Sequence, residues 1–141
     1  MPVKFSVLPD HNLVLVTFSG MVTLAETTET FDRYSSHPDA HPGQSHLVDL
    51  SAVTEYERDF TKIMALQAHQ VDVFLEADAP IYLIFVAPTE LTRTMAMAAV
   101  RSWQNLPGVI PLVLTSLDEA RAVLSLEERD LEPRGEPAAQ R

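Results

Sequence analysis

Cysteine is absent from the 141 residues. Its absence excludes disulfides, thiolate metal sites and a cysteine nucleophile together. It fits a reducing cytoplasm, the location expected from the sequence. Basic residues are scarce: 10 Lys and Arg stand against 20 Asp and Glu, a net charge of −10. A chain this acidic repels phosphate backbones and anionic bilayers. No local basic patch offsets this, so nucleic acid is not an expected partner. Long hydrophobic runs are missing too. The longest, Ile81 to Ala87, has the length of a buried strand and falls far short of a membrane span. Met1 to Ser6 has no apolar stretch behind a basic start, so no signal peptide is read there. The chain also lacks a Gly-x-Ser-x-Gly elbow, a phosphate loop and a Gly-rich dinucleotide turn. No cofactor and no catalytic residue are expected.

What is present alternates strands with helices. Val3, Phe5 and Val7 alternate with Lys4 and Ser6, a strand with one wet face. Pro9-Asp10-His11-Asn12 is turn chemistry, and Leu13 to Phe18 completes an antiparallel hairpin. Thr23-Leu24-Ala25-Glu26 reads as a capping box for a helix to about Tyr34, with Phe31 and Tyr34 and either Ala25 or Thr27 as its stripe. Leu47 to Leu50 is a third strand. Thr54-Glu55-Tyr56-Glu57 is a second candidate box, although the helix it announces could begin as late as Asp59. Phe60, Ile63, Met64, Val71, Phe74 and Leu75 keep helical spacing. Ile81 to Val86 is apolar at both parities, a strand covered on both faces. Pro88 or Thr89 opens a third helix. Ile110 to Leu114 is a strand whose Pro111 places it at an edge. Ser116-Leu117-Asp118-Glu119 starts a short fourth helix with Ala120, Val123 and Leu124 inward. The expected fold is α/β: five strands, mostly parallel with one antiparallel edge strand, and four helices. Residues 1–126 form the domain, and 127–141 read as a disordered acidic tail.

The run Val48-Asp49-Leu50-Ser51-Ala52-Val53-Thr54 resembles the core of STAS domains, the anti-sigma-factor-antagonist family of SpoIIAA-like fold. That fold is shared with the lipid-binding CRAL-TRIO proteins. In STAS relatives an Asp-Ser-Ser-Gly-like motif follows and takes a phosphate. Matched without a gap, Glu57 falls on that aspartate, Arg58 on the first serine, Asp59 on the phospho-acceptor and Phe60 on the glycine. The resemblance therefore implies a regulatory domain that makes protein contacts and lacks the phosphorylation switch, with Asp59 as a fixed charge.

Chemistry in open α/β sheets gathers outside the carboxyl ends of the strands. Asp49, Ser51, Thr54, Asp59, Thr89 and Arg93, with Glu90 and Ser116 nearby, are the candidate ligand- or partner-binding residues there. Their plainer reading is helix caps and a structural acceptor, roles ordinary for these residue types. His37, His41 and His46 with Asp39 crowd one loop and have metal-ligand chemistry, but the loop lies at the amino end of the sheet, and no metal is assigned. Met64, Met95, Met97 and Trp103 suit either a core or an adaptable apolar pocket. The expected function is a non-enzymatic interaction domain. The alternative is a carrier of a small apolar or lipid-like ligand in a cleft between the second and third helices. A homodimer through Met97, Val100 and Arg101 is also expected, with Leu91, Met95, Ala98 and Ser102 turned to the sheet.

Overall fold

A computed structural model of the chain describes residues 3–59, 61, 65, 66, 68, 70, 80–103 and 108–131. The described residues form β1 (Val3–Leu8), β2 (Leu13–Val22), α1 (Leu24–Ser35), β3 (Ser45–Tyr56), β4 (Ile81–Val86), α2 (Glu90–Trp103), β5 (Val109–Leu114) and α3 (Leu117–Leu124). Thr61, Ala65, Leu66, Ala68 and Gln70 are helical as well. The apolar stripe expected at Phe60, Ile63, Met64, Val71, Phe74 and Leu75 lies outside the described residues.

The strands form one mixed sheet in the order β1-β2-β3-β4-β5. β1 pairs antiparallel with β2, and every later pair is parallel. The hairpin turns through a short 3-10 segment, Pro9–His11, and Asn12 in the left-handed region at φ 54°. β5 lies at the edge, and Pro111 in it stands opposite Leu83. Parallel strands laid down in chain order by right-handed crossovers place their connecting helices on one face. Accordingly Phe31 and Tyr34 of α1 share a core with Ala96 and Trp103 of α2, against Val14, Phe18, Val48, Leu83 and Phe85. The other face packs Leu8, Leu13, Leu47, Ile84 and Val86 against Ala120 of α3.

β2 and β3 are longer than alternation alone indicates. Their pairing continues past two register shifts, with Ser19 opposite Ala52, Gly20 opposite Val53 and Val22 opposite Tyr56. Gly20 sits at φ +67°, a conformation that costs a glycine little. Each bulge inverts the inward parity, so Leu50 and Val53 both face the first core. Thr54 is therefore an exposed strand residue and caps no helix. One further expectation is corrected. Val123 is 47% exposed, whereas Ala120 and Leu124 face inward as expected, with Leu117 beside them. Within the segment expected as a tail, a 3-10 turn spans Glu128–Leu131, Leu131 packs on the second core, and His11 Nε2 lies 3.4 Å from Asp130 Oδ1; the remainder of that segment lies outside the described residues.

Candidate functional site

A cavity of about 180 Å³ lies between the first sheet face and its helices. The sheet supplies Phe5, Val16, Phe18, Val48 and Phe85 as its floor. These residues converge because each occupies an inward position of its strand. α1 contributes Thr27, Phe31 and Tyr34, and α2 contributes Met95, Ala99 and Trp103. Leu66 and Gln70 complete the wall from the segment after β3. Tyr56 and Glu57 stand at the carboxyl end of β3. Seven of the eight aromatic side chains among the described residues line this space, the exception being the exposed Tyr82.

Several polar groups in the wall are held by neighbours. The Tyr34 hydroxyl donates to Gln44 Oε1 at 2.6 Å, and Gln44 Nε2 donates to the Asp39 carbonyl at 2.9 Å. Burial pushes the Tyr34 phenol up to about 12, despite an opposing hydrogen bond with the His41 backbone. The Thr27 hydroxyl donates to the Thr23 carbonyl at 2.9 Å. Glu57 Oε1 accepts the Leu24 N–H at 2.9 Å and so helps to cap α1. His46 is 5% exposed and meets the Tyr34 ring edge-on at 5.1 Å. Loss of water around it pushes its pKa down to about 4, so the ring is neutral at pH 7. No Lys or Arg lies among the described lining residues.

None of the six candidate residues read from the sequence lines this cavity. Asp49 and Ser51 pair with each other: Asp49 Oδ1 accepts from the Ser51 N–H at 3.0 Å and from its hydroxyl at 2.6 Å. Asp49 follows Val48, which lines the cavity, so it projects from the opposite sheet face. Asp59 is exposed, two residues before the helical Thr61. Thr89 caps α2 in a reciprocal arrangement. Its hydroxyl accepts the Thr92 N–H at 3.1 Å, while the Thr92 hydroxyl accepts the Thr89 N–H at 3.0 Å. Arg93 is exposed on α2. The His37 and His41 Nδ1 atoms accept backbone N–H groups of Asp39 and Gly43 at 3.0 and 3.3 Å. Among the described residues no group of three His, Cys, Asp or Glu is arranged to hold a metal ion.

Met95 and Trp103, singled out in the sequence, do line the cavity, whereas Met97 is 39% exposed on the outer side of α2. Ala96 is buried and Val100 packs on the first core. Val100 is thus removed from the outer face drawn for a homodimer. What the sequence reading missed is the convergence of rings. Phe5, Phe18, Phe31 and Tyr34 each read as ordinary core, and only the register of β1, β2 and α1 brings them around one space. A scan against protein-family models finds no match, and neither does a search of the curated proteins.

Proposed function

We propose that this chain is a SpoIIAA-like domain that binds a small apolar molecule between its sheet and α1 and α2, without acting on it chemically. The observation that carries the reading is an apolar, part-open cavity of about 180 Å³ between the sheet and its helices. Protein interiors hold few voids larger than a water molecule. A void of this size removes contacts that a filled core would make, at a cost in stability. A concave, apolar, aromatic-lined space with a few polar groups is the usual form of a small-molecule site. Native mass spectrometry of gently purified protein tests the reading. The expected result is a bound small organic mass that denaturation releases. An apo mass together with no uptake of added apolar probes would remove it.

A second reading has its own support. Asp59 presents a carboxylate at the surface beyond β3, in the position where the STAS resemblance places a reversible phosphate. In this reading the domain works through protein contacts with that charge fixed. Phosphate found on Ser51 or Thr54 in protein taken from cells would overturn it.

A further inference from the structure

Building on the proposed ligand site, we infer that its occupant is a neutral, single-ring aromatic molecule, and that long-chain lipids and anionic ligands are excluded. Size sets the first limit. A cavity of about 150 Å³ lined by apolar side chains accommodates benzene, whereas drug-sized ligands occupy roughly 300–1,000 Å³. At about 180 Å³ the space here fits one ring and its substituents. An acyl chain of lipid length exceeds this volume.

Charge sets the second limit. An anion taken out of water needs a cation or several donors to replace its hydration. No Lys or Arg lines the wall among the described residues, and its one described carboxylate, Glu57, repels a negative ligand. His46 is neutral at pH 7 and supplies no charge. The wall hydroxyls of Thr27 and Tyr34 spend their protons on Thr23 and Gln44. They offer acceptor oxygens to a ligand. The Thr30 hydroxyl, also in the wall, accepts from Arg33 at 3.2 Å, so that guanidinium already has a partner.

The rings set the third limit. Phe5 and Tyr34 stand nearly perpendicular at 6.2 Å, Phe31 and Tyr34 lie 5.9 Å apart, and Trp103 closes the α2 side at 4% exposure. A guest ring meets edges and faces in this arrangement and gains more than its buried area alone provides. A saturated ring of equal size gains only the area.

The test uses the intact wild-type protein at pH 7 and four probes: p-cresol, 4-methylcyclohexanol, benzoate and decanoate. The first two share a hydroxyl and a methylated six-membered ring and differ in aromaticity. Calorimetry measures affinity. The indole N–H resonance of Trp103, the one tryptophan of the chain, reports whether binding is at the cavity. The expected result is p-cresol bound about three- to tenfold more tightly than 4-methylcyclohexanol, a shifted Trp103 resonance, and no binding of benzoate or decanoate. Equal or tighter binding of 4-methylcyclohexanol overturns the aromatic preference while leaving an apolar site in place. Binding of decanoate or benzoate overturns the charge and size limits. Failure of every probe to move Trp103 removes the ligand site itself.

Discussion

His46 is the residue whose chemistry departs furthest from its place in the sequence. There it stands among loop histidines with ligand character. In the fold it is the second residue of β3 and points into the first core, against Tyr34. Desolvation lowers its pKa from 6.5 to about 4. The sign of the effect on stability follows from proton counting. Between pH 6.5 and 4 the unfolded chain binds a proton at His46 and the folded chain does not. Stability from this group is therefore full above pH 6.5 and is lost as the pH falls toward 4. The shift corresponds to about 3 kcal/mol over that window. Urea unfolding of the wild type and of His46→Leu at pH 7, 6, 5 and 4.5 checks it. The wild type is expected to lose on the order of 3 kcal/mol more than the variant across the series. Parallel curves for the two proteins would place the pH response elsewhere.

At the scale of elements, the signals that were legible are the local ones. The boxes at Thr23 and Ser116 form caps, with Oγ accepting the Glu26 and Glu119 N–H groups at 3.2 Å each. Glu119 then accepts the N–H and hydroxyl of Thr115, which hold its carboxyl below the usual range. The hairpin, the central β4 and the edge position of β5 follow equally from turn residues, an unbroken apolar run and Pro111. What was not legible depends on pairing across strands. Thr54-Glu55-Tyr56-Glu57 matches a capping box in sequence, yet the bulges of β2 and β3 keep these residues up to Tyr56 in the sheet. Local propensity cannot register that competition. The cavity was not legible for the same reason, because it is made by register and not by any one motif. α2 illustrates both outcomes. Met97 is exposed and Ala96 beside it is wholly buried. Met97→Glu is expected to change stability by less than about 0.5 kcal/mol. Ala96→Leu is expected to cost about 1–3 kcal/mol through overpacking. Chemical denaturation of both variants compares the two faces directly, and light scattering of Met97→Glu shows whether this face carries any self-association.

For the whole molecule, the two sheet faces are treated unequally. The face under α3 is closed by leucines from both ends of the domain, Leu8 and Leu13 in the hairpin and Leu126 and Leu131 after α3. The face under α1 and α2 is larger, more aromatic and hollow. A hollow in this core argues for a use of the space, since filling it is within easy reach of single substitutions. Ala99 shows how easily. It lies on α2, lines the cavity and packs on the same core. Extending it to leucine places new methyl and methylene groups into the empty volume, each contributing roughly 0.8 kcal/mol when fully buried. Rotamer restriction and imperfect fit offset part of that gain. Ala99→Leu is therefore expected to stabilise the ligand-free protein by about 1 kcal/mol, or roughly 4 °C in Tm. The same change is expected to weaken p-cresol binding at least about tenfold, an opposition common where a binding site is held open against the preference of the core. Thermal unfolding measured with and without p-cresol separates the effects. In the wild type the ligand raises Tm; in the variant Tm starts higher and the ligand adds little. A variant that is destabilised and still responds to p-cresol would locate the ligand away from Ala99 and require a different entry to the core.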